Sequence, residues 1–251
     1  MNSDTMEFDD LNIPISKAEY KSQRPEGHRT SIDRPAWIAR YKQTCDLVEM
    51  YHDNGDILEI GAYDYELTKI LQSKGYGVIG VDKDTTKMAD YIRKEEFDIR
   101  TCDIEREDLP FDDHSFSTVL FTEVFEHLRI NPLEPLRSIR RILKPAGTLI
   151  LSTPNLYYIM NVVDFVLGRG IKTMYDGYEE FKQLEEEGYP GHIRVYSKDE
   201  LEKFLTNTGF EIQEVFFAEG PHEGKKRVFR PVCRMKPEMK KRIYVVATPD
   251  D

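Results

Sequence analysis

A doubly wound α/β fold, with a mostly parallel sheet between two layers of helices, follows from three features of the sequence. From residue 56 onward, short apolar runs alternate with stretches of helical period. Runs such as "TVLF" and "TLILS" are apolar almost throughout, as strands buried on both faces are. Glu59, Asp82 and Asp103 stand at the ends of three successive runs, and an open parallel sheet binds ligands at the carboxyl ends of its strands.

Residues 1–34 are polar without a sustained apolar period and read as a flexible arm or lid, leaving 35–251 as one domain. From Pro35, which suits a first helical turn, the run "PAWIARYKQTCDLVEMY" places Trp37, Ile38, Tyr41, Leu47, Val48 and Tyr51 at helical spacing. Strands are predicted at about 56–61, 77–82, 97–102, 116–122, 147–153, 210–218 and 242–248. Helices are predicted at about 64–74, 85–95, 132–143 and 197–208. The last two strands are joined by a basic segment rather than a helix, which favours an antiparallel final strand. Residues 154–192 form an insertion rich in tyrosine beside Met160, Phe165 and Met174, suited to walling an acceptor pocket or resting on a membrane surface.

The net charge of −11 disfavours a nucleic-acid partner. Basic residues do gather at 221–242, as a solvated flank or a dock for an anionic partner. Cys45, Cys102 and Cys233 lack metal-ligand spacing and point to a reducing compartment, and no metal site is read from the sequence. With no signal peptide and no apolar run near the roughly 20 residues of a membrane span, a cytoplasmic protein is expected.

The stretch "DILEIGAYDYELTKIL" reads as a strand, a tight turn and a helix start. Asp82 lies 21 residues after Gly61, the spacing of a carboxylate that accepts both ribose hydroxyl protons. Asp103 could accept from an adenine amino group while Ile104 packs on the base. Tyr63 and Tyr65 replace glycines that a pyrophosphate cofactor requires, which counts against a nicotinamide enzyme. Asp64 can cap the helix.

Taken in order, "DILEIGAYDYELTKIL", "GVIGVDKD", "CDIEREDLPFDDHSFSTVLFTEVFEHL", "LRSIRRILKPAGTLILSTPN" and "GHIRVYSKDELEKFLTNTGFEI" resemble the motifs of class I S-adenosylmethionine-dependent methyltransferases. The likeness is closest to small-molecule enzymes of the ubiquinone-biosynthesis type. It implies a Rossmann-like sheet of seven strands with the last antiparallel, and S-adenosyl-L-methionine as cofactor. By position it implies that Glu59, Gly61, Ala62 and Tyr63 border the methionine end. Asp82 and Lys83 would lie at the ribose, Asp103 and Ile104 at adenine, and Glu123 under the cofactor.

In "EVFEHL", Glu123 and His127 share a face if the segment is helical. His127 is the first candidate for the base or acceptor-orienting group, with Glu123 and His192 beside it and Arg194 and Tyr196 as substrate contacts. Tyr20, His28 and Arg34 could close over the same pocket. The expected activity is methyl transfer to a small or lipid-linked acceptor, at oxygen, with peripheral membrane contact compatible. The alternative is a methyltransferase-like binding protein whose Tyr63 and Tyr65 fill the cofactor loop.

Overall fold

The computed structural model describes residues 7–14, 16–22, 33–171, 178, 182, 185–186, 191–219 and 228–250. Seven strands form one sheet: β1 (Ile57–Ile60), β2 (Val78–Asp82), β3 (Asp98–Thr101), β4 (Phe116–Thr122), β5 (Leu143–Pro154), β6 (Phe210–Ala218) and β7 (Arg242–Pro249). Their order is β3-β2-β1-β4-β5-β7-β6. The first five are parallel, and β7 runs antiparallel to both β5 and β6. The strand order reverses between β1 and β4, where an open sheet leaves a crevice for a ligand.

Alternation along the central strands sorts their side chains into two cores. Ile57, Leu120, Ile150, Tyr244 and Val246 face the side of helices α2 (Pro35–Tyr51) and α3 (Glu66–Ser73). Leu58, Val119, Leu149, Leu151 and Val245 face α5 (Leu133–Ile142) and α7 (Lys198–Thr206). The sequence around each helix explains where it starts. Pro35 opens α2 at a position whose N–H would have no partner. Ser197 and Glu200 form a reciprocal capping box at α7. The expected helix at 85–95 divides into a 3₁₀ turn, Thr86–Met88, and the short α4 (Ala89–Lys94). The strand expected from 147 already starts at Leu143, which pairs with Phe116.

The described part of the 1–34 segment is anchored at three residues. Phe8, Leu11 and Tyr20 are buried in the α2–α3 core. Tyr20, on α1 (Lys17–Ser22), donates its hydroxyl to the Glu66 carboxylate at the start of α3. It is therefore a core anchor and not a lid over the acceptor, because a buried phenol must find an acceptor and Glu66 supplies one. His28 lies outside the described residues, and Arg34 is the residue before α2.

At the carboxyl edge, the buried Asn155 joins three segments. Its amide donates to the carbonyls of Glu238 and Lys240, both at 2.7 Å. Its own backbone carbonyl accepts from Asn161 on α6 (Ile159–Val166), and it bridges to Tyr196. Asn155→Ala would strand two carbonyls in a buried place. Urea unfolding should show a loss of about 1–3 kcal/mol, with the lead-in to β7 protected less from hydrogen exchange.

Candidate active site

The sheet's parallel register brings the cofactor candidates side by side. Glu59 pairs with Gly80 and Leu120, and Asp82 with Thr101, so β3, β2, β1 and β4 end at one edge. At the first corner Gly61 takes φ +72, and a Cβ there would come within 2.4 Å of Val124. Asp64 and Tyr65 follow at φ 66 and 55, a costly conformation for side-chain-bearing residues. Asp64 accepts from the Glu66 N–H at 3.2 Å and so caps α3.

The two tyrosines leave the corner in opposite directions. Tyr65 is fully buried with Ala62, Met88, Tyr91 and Phe97, in a small core between sheet and α4. Tyr63 is 51% exposed. Its N–H donates to Asp82 Oδ2 at 3.1 Å, and the N–H of Asp84 donates to Oδ1 at the same distance. Burial raises the Asp82 pKa, opposed by these two N–H groups. Glu59 is buried and accepts from the Thr68 hydroxyl at 2.5 Å; burial pushes its pKa up to about 8. Lys83 is exposed, whereas Asp103 and Ile104 are half-buried. Asp103 accepts from the Glu105 N–H and pairs with Arg106 at 3.5 Å.

The catalytic candidates assemble differently from the sequence expectation. Glu123 has φ +57, which breaks helical continuity, and Phe125–His127 forms a 3₁₀ turn. Glu123 and His127 therefore do not share a helix face. Glu123 instead pairs with Arg242 at 2.9 Å and accepts from Ser152 at 3.0 Å. Burial alone would raise its pKa, but the attraction of Arg242, with help from Arg40, holds it below the usual carboxylate value.

The residue that meets His127 is Glu126. Its carboxylate is wholly buried, with Oε2 accepting from Thr153 at 2.9 Å. Among the described residues Oε1 has no hydrogen-bond partner, and it lies 4.0 Å from His127 Nε2 and 3.9 Å from His192 Nε2. Burial, and then repulsion from Glu123, raises the Glu126 pKa well above normal. His127 Nδ1 is 2.7 Å from the Gly191 carbonyl, which can only accept, so this nitrogen carries the proton and Nε2 the lone pair. Burial depresses the His127 pKa to about 4, leaving the ring neutral at pH 7. The two imidazoles are 4.8 Å apart. The backbone of the 191–194 segment holds them together, with Ile193 and Arg194 N–H groups donating to the Glu126 carbonyl.

Tyr196 and Arg194 already have partners in the protein. Tyr196 is buried against Phe125, and Arg194 pairs with Glu200 across the start of α7. Sequence reasoning missed Glu126 as a partner of both histidines, and Arg242 altogether. Arg242 belongs to a basic run, but it also opens the apolar strand "RIYVVATP", where a charge needs a buried partner.

A family model for the methyltransferase domain matches residues 28–215. The chain belongs to that family. It is an S-adenosylmethionine-dependent methyltransferase. Among solved structures, the PH0226 protein of Pyrococcus horikoshii shares its fold with a TM-score of 0.60 and 20% identity, over 92% of this chain and 99% of that one. A SAM-dependent methyltransferase from Archaeoglobus fulgidus aligns with a TM-score of 0.58 and 15% identity, over 83% and 92%. The [4+2]-cyclase SpnF aligns with a TM-score of 0.56 and 15% identity, over 90% and 86%. No curated protein matches the sequence.

The methyltransferase's edge fits its cofactor. Asp82 uses one lone pair on each oxygen for a backbone N–H, and a carboxylate offers about four such sites, so two hydroxyls can still be accepted. Tyr63 and Tyr65 are directed to solvent and to the α4 core, so neither ring fills the corner as the binding-protein alternative requires. Glu126, His127 and His192 offer three donor atoms within 4.8 Å of one another, a set that could hold a metal ion.

Two outcomes test the electrostatics. Arg242→Ala leaves Glu123 buried without its cation and should cost about 3–5 kcal/mol in urea unfolding; Arg242→Met with Glu123→Gln should recover part of that. Glu59 has a folded pKa of about 8 against an ordinary 4.5, so it adds stability below pH 4.5 that is lost as pH rises through 8. The melting temperature of the wild type should therefore fall relative to Glu59→Gln between those values, and parallel pH curves would refute the assignment.

Proposed function

We propose that this methyltransferase methylates a hydroxyl oxygen of a small or lipid-linked acceptor, activated by a divalent cation held between Glu126, His127 and His192. The observation that carries this reading is Glu126 Oε1, a buried carboxylate oxygen without a hydrogen bond among the described residues, facing two imidazoles at 3.9 and 4.0 Å. Unsatisfied buried polar atoms are uncommon and costly.

The chemistry of the donors favours a cation over a proton-transfer pair. An imidazole whose pKa is about 4 is a poor base toward a hydroxyl, since an efficient base titrates near the working pH. The same neutral ring is a good metal ligand, and its Nδ1–H is fixed on a backbone carbonyl as is usual for ligating histidines. Two imidazoles and one carboxylate form a common donor set for Zn²⁺ and related divalent ions. Such an ion lowers the pKa of a hydroxyl that approaches it. Glu123 and Arg242 would position the turn that carries Glu126 and His127.

Bound S-adenosylmethionine supplies a methyl group activated by its sulfonium. Asp82 would hold the ribose and fix where that methyl lies, Asp103 and Ile104 would receive adenine, and Gly61 and Tyr63 would border the methionine end. Catalysis then needs alignment and exclusion of water more than a strong base.

Calorimetry tests both halves. S-adenosylhomocysteine should bind the wild type and bind Asp82→Ala at least about tenfold more weakly, each ribose hydrogen bond to a charged group being worth about 1.5–3 kcal/mol. Zn²⁺ or Mn²⁺ added alone should bind the wild type, but not His192→Ala or Glu126→Gln. Methyl transfer to a phenolic acceptor should stop on chelation and return with the ion. Activity that survives chelation would remove the cation and leave the cofactor assignment standing; absence of homocysteine-cofactor binding would sink the whole reading.

A further inference from the structure

The end of α6 is apolar on all sides. Phe165, Val166 and Leu167 are 73, 75 and 57% exposed. Consecutive residues of a helix point about 100° apart, so three exposed neighbours mean that the helix end itself projects. Against the start of α6 packs α8 (Arg230–Met235), whose last residue, Met235, is 78% exposed. The two helices pack through Tyr158, Ile159, Val232 and Cys233 into one appendage.

The charge of the α8 segment is opposite to that of the whole protein. Residues 228–241 carry five cations, Arg230, Arg234, Lys236, Lys240 and Lys241, against Glu238, in a chain of net charge −11. The one acid of α6, Asp164, is buried and lies 3.9 Å from Arg169, whose guanidinium is mostly exposed. The appendage also springs from the active edge. α6 follows β5 after Asn155, and α8 leads through the turn Pro237–Met239 into β7 and Arg242.

We propose that the α6–α8 appendage docks the enzyme on an anionic lipid bilayer, setting the acceptor site at the membrane surface. Apolar side chains with a cationic rim suit the acyl–headgroup boundary of such a surface. A protein partner would have to match the shape of side chains splayed in three directions, whereas fluid lipid conforms to them. This deepens the lipid-linked acceptor of the proposed function and draws its biological sense from that reading, although docking itself needs neither cofactor nor acceptor.

The full-length protein is sedimented with phosphatidylcholine vesicles, with or without phosphatidylglycerol. Binding should require the anionic lipid and weaken with salt. Phe165→Ser with Leu167→Ser should lower partitioning about tenfold or more, since each buried apolar side chain adds to interfacial affinity. Arg234→Ser with Lys236→Ser should reduce the dependence on phosphatidylglycerol. Unchanged S-adenosylhomocysteine binding by these variants would show that folding is intact and that the tips act on docking alone. Equal sedimentation with both vesicle types, or none, would overturn the proposal. So would a dimer, seen by sedimentation equilibrium, that the Phe165→Ser/Leu167→Ser variant abolishes. Failure with vesicles leaves cofactor binding untouched and is distinct from failure of the methyltransferase assignment.

Discussion

One guanidinium, buried against the Glu123 carboxylate, governs the carboxyl edge of this sheet. Arg242 lies 2.9 Å from Glu123, and Glu126 is wholly buried nearby. Three ionisable groups without water cannot all be charged unless their charges balance, because each uncompensated buried ion costs several kcal/mol. One Arg neutralises one Glu. Glu123 takes that partner and stays ionised, while Glu126 is driven toward its protonated form by burial and by Glu123 itself. Exchange of that proton for a divalent cation would satisfy Glu126 Oε1 and employ the two imidazoles already facing it. The ion pair thus fixes more than the join between β4 and β7. It leaves the adjacent carboxylate in need of positive charge.

The corner proposed for the cofactor is built differently. A glycine-rich turn serves enzymes in which a pyrophosphate must touch the backbone. S-adenosylmethionine has none, so the corner tolerates side chains where their volume can be sent elsewhere. Gly61 is the residue that cannot change, since Val124 occupies the space a Cβ would take. Asp64 and Tyr65 accept a strained φ because their side chains recover the cost locally: Asp64 caps α3, and Tyr65 fills the core against α4. Tyr63 contributes through its N–H, which orients Asp82, and not through its ring.

These distinctions mark what the sequence could reveal. Strand periodicity and the acidic strand ends expose the sheet, its parallel part and the positions of Glu59, Asp82 and Asp103, because each depends on local pattern. Glu126 with His192 depends on contact across 66 positions, and Arg242 with Glu123 across 119. No local period encodes those contacts. Tyr20 and Tyr196 are misread for a related reason: a tyrosine near a pocket in the chain can serve the core equally well, and only the position of a buried acceptor such as Glu66 decides. The 3₁₀ turn at Phe125–His127, with Glu123 at positive φ before it, changes which carboxylate meets His127, and helix periodicity does not show it.

The topology shows what the antiparallel last strand brings to the site. The carboxyl ends of β1 to β4 supply carboxylates and the cofactor corner, so a compensating cation must arrive at that same edge. A parallel strand would enter the sheet from the opposite edge and deliver its first residue there. β7 is inserted between β5 and β6 with its direction reversed, so Arg242, the first residue of the strand, lands opposite Pro154 at the edge that holds Glu123. The segment leading into β7 must then cross that edge, and α8 is the part of it that packs on α6. Reversal of one strand therefore brings together the ion pair, the Asn155 junction and the cationic appendage beside the site.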